Sequence, residues 1–286
     1  MAVSPAHKFG QIIGDVLEDA IEPILKKFAE EHHLYLDKQG PRIARAGLKV
    51  SWTDSYGNTH DLDYVLERGG SEEKLGTPVA FIESAWRRYT KHSRNKAQEI
   101  QGAILPLAHT YSDNAPFIGV IIAGVFTGGA IQQLKSLGFQ VLYFEYPAII
   151  EAFKVVGIDA SFEENTALEA FEEKIQKWEN LTGEQKAKIS RTLAEKNATS
   201  VESFVDALKK AITRTIKLIR VLPLHGKAFE YDSLAEAMKF IKEYNEKNGN
   251  GTIVRYEVEI RYNNNDEIRG AFKDKETALQ FLGNYR

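Results

Sequence analysis

Apolar residues first recur at helical spacing. Phe9, Ile12, Ile13, Val16, Leu17, Ala20, Ile21, Ile24 and Leu25 share one face of a helix that Ser4 caps and Pro5 opens. Pro23 predicts a kink in it. Gly10, Gly14, Glu18 and Glu22 fall four apart on another face, which carries little bulk and two acids. The period then drops to two. GLKVSWTDSYGNTHDLDYVLE predicts a hairpin around residues 54–58. Asp61, Asp63 and Val65 lie on one side of its second strand, and Leu62, Tyr64 and Leu66 on the other. After the loop GGSEEKLGTP, residues 79–82 are an unbroken apolar run, as in a strand buried on both faces. A helix capped by Ser93 or Thr90 follows, turning Ala97, Ile100, Ile104 and Leu107 inward.

PFIGVIIAGVF reads as a second central strand, TGGAIQQLKSLG as a helix, FQVLYFEY as a strand and PAIIEAFKVVG as a helix. This alternation predicts an α/β fold, with a mixed central sheet flanked by helices. From about residue 161 the pattern becomes helical, with Asn165, Thr182 and Thr199 or Ser200 as caps and the last helix reaching Leu222. After the punctuating Pro223-Leu224-His225-Gly226, the tail predicts a helix over 234–246, a strand over 252–262 and an Asn-rich turn. A strand over 267–272 and a helix over 275–282 complete it. The expected domains are a core over 1–160, a helical segment over 161–225 and a small α+β unit over 226–286.

Composition narrows the chemistry. The chain has 286 residues, 43% of them hydrophobic and 27% charged, and a net charge of -3, so no global basic field marks a polyanion partner. It contains no cysteine, which excludes disulfides and thiolate metal sites. The start, MAVSPAHKFGQII, lacks the layout of a signal peptide, and the longest apolar run, 115–126, is too short to cross a bilayer. The expectation is a cytoplasmic protein with no membrane segment.

Local clustering is more informative. In AFIESAWRRYTKHSRNKAQEI, over residues 80–100, a buried strand ends in Glu83. Arg87, Arg88, Lys91, His92, Arg94 and Lys96 follow within a dozen or so residues. A carboxylate at a buried strand end is costly unless it is paired or holds a cation. Asp63, on the neighbouring predicted strand, supplies a second carboxylate. Convergent carboxylates without Cys or clustered His suit a hard cation such as Mg²⁺. Such an ion polarises a phosphate and activates water, and the surrounding basic side chains hold the polyanion.

On these residues the segment resembles the catalytic core of PD-(D/E)XK nucleases, especially type II restriction endonucleases, over roughly residues 8–150. The resemblance implies that Asp63 and Glu83 bind Mg²⁺ and that Glu18, on the early helix, supports them. The family places a lysine two residues after the second acid, where this chain has Ala85. Lys96 or Lys91 is the expected replacement. The proline of the motif is also absent, because Leu62 precedes Asp63. The resemblance further implies a site-specific endonuclease of double-stranded DNA that works as a homodimer. Arg87, Arg88 and Arg94 would contact phosphates, and Lys210 and Arg214 would belong to a basic helical stripe with Lys217.

Each of these residues has a plainer reading. Glu83 is neutralised by an arginine, Glu18 is a solvated helix acid, Trp86 and Tyr89 are core, and the basic stripe is a solvated face. GVFTGGA matches no phosphate-loop pattern and reads as a tight turn. The alternatives to an enzyme are a nucleic-acid-binding protein on a degenerate nuclease core, which the missing lysine motivates, and a module unrelated to nucleic acid, which the negative net charge motivates.

Overall fold

The computed structural model describes residues 4–224, 226–246 and 255–285, apart from the side chain of His92. His225 and the beginning of the expected strand 252–262 lie outside the described residues. The chain divides into two compact units, Met1–Leu208 and Lys209–Arg286.

The first unit opens with α1 (Pro5–Glu31). Ser4 Oγ accepts the His7 N–H at 3.3 Å, and the predicted apolar face is buried from Phe9 to Leu25 except for the half-buried Ile24, with Phe28 and Ala29 extending it. Then come β1 (Leu34–Lys38), β2 (Val50–Thr53), β3 (Thr59–Leu62), β4 (Tyr64–Arg68) and β5 (Thr77–Arg87). They are followed by α2 (Ser93–Thr110), β6 (Phe117–Gly124), α3 (Gly128–Ser136), β7 (Gln140–Glu145) and α4 (Tyr146–Lys154). Three helices follow: α5 (Leu168–Glu179), α6 (Gly183–Lys196) and α7 (Ala198–Ile212), the last running past the division.

Among the described residues, the main sheet has the order β1-β4-β5-β6-β7. It is mixed, as expected: β5 pairs antiparallel with β4 and parallel with β6, and β6 runs parallel to β7. Helix α1 packs against β1, β5, α5 and α6, while α2 contacts β3, β5, β6 and α3. Residues 80–82 of β5 are wholly buried. Where β6 ends, Gly124 has φ +99°, and a Cβ there would stand 2.1 Å from the Arg87 carbonyl oxygen. The GVFTGGA turn therefore needs glycine for close packing against the end of β5.

Among the described residues, the second unit has a sheet in the order β11-β10-β8-β9 and the helices α8 and α9. It comprises β8 (Ile216–Pro223), β9 (Phe229–Tyr231), α8 (Leu234–Glu243), β10 (Tyr256–Tyr262), β11 (Glu267–Phe272) and α9 (Lys275–Gly283). Ser233 and Asp274 cap its helices.

Four expectations need correction. The helix expected to reach Leu222 stops at Ile212, and 216–223 is a strand. Ile219 and Val221 alternate there with Leu218, Arg220 and Leu222, so the β-branched period-two pattern wins over the helical one. The stripe of Lys210, Arg214 and Lys217 is thereby dissolved, since Lys217 stands on a strand and Arg214 follows the helix end. Asn165, Thr199 and Ser200 are not caps: α5 starts after Ala167, and Thr199 and Ser200 lie within α7. Thr182 does cap α6, in a reciprocal capping box with Gln185. Lastly, the strand after the hairpin turn is two strands. The chain bends at Asp63, leaving β3 paired with β2 in a small ribbon and carrying β4 into the main sheet.

Strand β1, which periodicity does not reveal, carries Asp37 into a buried ion cluster. Arg42 Nη1 lies 2.9 Å from Asp37 Oδ2 and 2.5 Å from Glu67 Oε1, and Arg45 Nε donates to Asp37 Oδ2 at 3.0 Å. Arg42 also donates to the carbonyls of Ser71 and Lys74, and Arg45 to those of Lys38, Gly40 and Gly47. Two loops are thus tied to the sheet edge. Arg42→Met strands the buried Glu67 carboxylate, while Asp37 keeps Arg45, and is expected to lower stability by about 3–5 kcal/mol, read from urea unfolding. The double variant with Glu67→Gln should regain part of that loss. A loss below about 1 kcal/mol in the single variant would contradict this role for the cluster.

Candidate functional site

The bend at Asp63 and the ladder of β4 and β5 build the site. Tyr64 faces Ile82 across the antiparallel pair, so the preceding residue, Asp63, comes opposite Glu83. Directly opposed residues hold their Cβ atoms about 4.5–5.5 Å apart. The Asp63 backbone N–H bonds the Glu83 carboxylate. The Asp63 carboxylate turns the other way along β5, and its Oδ2 accepts the Ser84 backbone N–H at 2.6 Å and the Ser84 hydroxyl at 3.0 Å.

Glu83 is 7% exposed, and among the described residues it has no salt-bridge partner. The reading in which an arginine neutralises it therefore does not hold. Burial pushes its carboxyl up to about 8, the charge of Asp63 pushes in the same direction, and Lys96 pulls against them. Glu18 rises to about 7, through burial and then through Asp63, Asp15, Asp19 and Glu22. Water reaches Glu18 and damps this effect. The charge of Asp63 thus acts on both Glu18 and Glu83.

Of the two expected basic replacements, Lys96 is the one beside Glu83. It stands on the first turn of α2 with its side chain 19% exposed, 3.5 Å from Glu99. Lys91 instead pairs with Glu164 at 2.5 Å. Ala85 follows Glu83 on the same face of β5, with a side chain too small to fill the space a lysine would occupy.

A cleft of about 860 Å³ opens at this end of β5. Ala6, Gly10, Gly14 and Glu18 form its α1 wall, as the small-residue face of that helix predicts. Ser84, Trp86, Arg87, Arg88, Tyr89, Lys91 and Lys96 line it from β5 and the residues beyond, and Phe162, Glu163 and Glu164 form the opposite wall. Arg87 Nη1 donates to the Trp86 carbonyl at 2.8 Å. The Arg88 guanidinium lies over the Tyr146 ring at 4.1 Å, donates to the Phe162 carbonyl at 2.9 Å and pairs with Glu163 at 2.8 Å. Arg94 is exposed and does not line the cleft. Lys210 and Arg214 fall in the second unit, where Arg214 pairs with Asp266 and covers the Tyr262 ring.

Trp86 and Tyr89 are half-buried rather than core. The sequence pattern overlooks Ser84, which orients Asp63, and the Glu163–Glu164 pair. Nothing local marks either, since their partners lie 21 and more than 70 residues away.

Among the described residues, no three His, Asp or Glu side chains form a cage for a metal ion. The donor set nevertheless fits a hard cation. Magnesium is usually held by one or two carboxylates together with waters and substrate phosphates, not by an all-protein shell. The upward shifts of Glu18 and Glu83 come first from burial and then from the charge of Asp63.

No protein-family model matches the chain, and no curated protein is significantly similar to it. One solved structure, the crystal structure of a protein of unknown function, AF1548, aligns with 69% of this chain and 97% of its own. Sequence identity is 12% and the TM-score 0.30, a likeness too slight to carry any argument.

The raised Glu83 predicts a pH dependence. The folded protein keeps this proton up to about pH 8, whereas an unfolded chain loses it near 4.5. Between those values the folded state binds more protons, so stability falls as pH rises. Glu83→Gln should flatten that fall in metal-free protein, by on the order of a few kcal/mol between pH 5 and 8.5, in urea titrations. Parallel curves for the two proteins would show that Glu83 titrates normally.

Proposed function

We propose that this protein is a magnesium-dependent endonuclease that hydrolyses phosphodiester bonds of double-stranded DNA in the manner of a restriction enzyme. One observation carries the reading. Asp63, at the bend before β4, stands opposite Glu83 in the buried middle of β5 with no arginine between them, and Lys96 supplies the nearby positive charge. Function is argued from this site rather than from the fold, which hosts many chemistries.

Asp63 and Glu83 would hold the cation, and Glu18 would add negative charge through its proximity to Asp63. Magnesium bound there supplies neutralisation at the scissile phosphate and a water of lowered pKa. Ser84 fixes the Asp63 carboxylate by two hydrogen bonds and keeps it aimed along β5. Glu83, whose carboxyl burial pushes up, would hold a cation only as the carboxylate, so binding would release its proton to solvent. Lys96 orients the attacking water and offsets charge as it grows on the phosphate. Arg87 and Arg88 in the cleft wall contact neighbouring phosphates, and Arg94 extends that contact along the backbone.

The position of Lys96 favours catalysis over the alternative of a binding protein on a degenerate core, because it fills the charge role left open at Ala85. Cutting both strands of a short site calls for two copies about a two-fold axis, and we assign the second unit to dimerisation or base reading.

With Mg²⁺, the wild-type protein is expected to nick or linearise plasmid DNA. Asp63→Asn and Glu83→Gln should each reduce the rate at least about a hundredfold, and Lys96→Met by a comparable factor. Gel assays of supercoiled DNA measure this. Equal cutting by all four proteins would remove the assignment, and binding without any cutting would support the degenerate core.

A further inference from the structure

The cations of the cleft already have anions. Glu163 and Glu164 are consecutive, yet each reaches a different basic residue of the stretch after β5: Glu163 takes Arg88 at 2.8 Å and Glu164 takes Lys91 at 2.5 Å. Their short segment is firmly seated. The Tyr146 hydroxyl donates to the Ala160 carbonyl at 3.1 Å and accepts the Phe162 N–H at 2.9 Å. The Phe162 ring packs among Phe9, Tyr89, Tyr146 and Phe171. The Glu163 backbone N–H is held by Thr166 Oγ1 at 2.8 Å.

The side chains of the two acids are exposed by contrast. Their side chains are 73% and 60% exposed, so each ion pair is weak and costs little to break. Arg88 differs from its partner: its side chain is only 13% exposed and stacked on Tyr146. A guanidinium so placed is preorganised for an anion and cannot swing away to find one. The spacing also matters. Two carboxylates one residue apart present two negative charges to two cations, as consecutive phosphates of a nucleic-acid strand would.

We propose that Glu163 and Glu164 are a built-in competitor for substrate phosphate, an autoinhibitory contact that DNA must displace from Arg88 and Lys91. The inference rests on the nuclease reading for the identity of the substrate, but its test does not depend on cleavage. The pair raises the threshold for binding. A single anion gains little by replacing one carboxylate, whereas a polyphosphate chain replaces both at once and makes further contacts.

The test measures binding of a fluorescein-labelled DNA duplex by anisotropy, with Ca²⁺ in place of Mg²⁺. Two double variants are compared with wild type. Glu163→Gln with Glu164→Gln empties the contact. Glu172→Gln with Glu173→Gln, on the exposed surface of α5, changes the net charge equally and leaves the contact intact. The first should bind about tenfold more tightly than wild type, and the second less than twofold. Equal tightening by both, or none by the first, overturns the proposal. Thermal melting of the first variant shows whether it folds, and Glu163→Asp with Glu164→Asp, which shortens the reach of both acids while keeping their charge, should tighten binding in the same direction. Tighter binding without Mg²⁺-dependent cutting would uphold this contact and sink the nuclease assignment; cutting with unchanged binding would do the reverse.

Discussion

The candidate site depends on a single register. Tyr64 pairs with Ile82, and the chain bends one residue earlier, so Asp63 meets Glu83 in the middle of a strand that is buried along most of its length. A slip by one residue would send Glu83 to the other face of the sheet and put Ile82 or Ser84 in its place. The hydrophobic run of β5 prevents that slip, because Phe81 must enter the cluster containing Ala97, Ile100 and Ile104. Core packing on α2 therefore positions the carboxylate and also sets Lys96, one residue before Ala97, beside it.

The same sheet treats its buried acids in two ways. At the β1 edge, Asp37 and Glu67 are matched by Arg42 and Arg45, whose remaining N–H groups are taken up by loop carbonyls. That cluster fastens loops and leaves no charge to spare. In the middle of β5, Glu83 feels the charges of Asp63 and Asp61, and Lys96 only partly offsets them. Burying a carboxylate without a partner opposes folding, and the protonated state relieves it. Such a departure from ordinary stabilisation is what distinguishes a site from a scaffold.

Much of the first unit follows from periodicity. The Phe9–Leu25 face, the buried run before Glu83, the inward positions of α2 and the two parallel strands all announce themselves, because burial on one stripe or on two faces leaves a local pattern. Strand β1 does not: with only Asp37 fully buried, LYLDK carries little alternation. The segment 216–223 misleads in the other direction, since its charges also suit a helix until β10 pairs with it. The bend at Asp63 was equally hidden, for it is imposed by two different sheets competing for one continuous run.

The sequence alone settled the mixed α/β class, the absence of thiol chemistry, and the identity of Glu18, Asp63, Glu83 and Lys96 as residues to watch. It did so because burial patterns and side-chain chemistry are local properties. Only the tertiary structure brought the charge of Lys96 to bear on Glu83, found Ser84 holding Asp63, and showed Arg88 and Lys91 already engaged by acids more than 70 positions along the chain. Those facts belong to distances across space. Strand register and helix packing set such distances, and no short stretch of residues contains them.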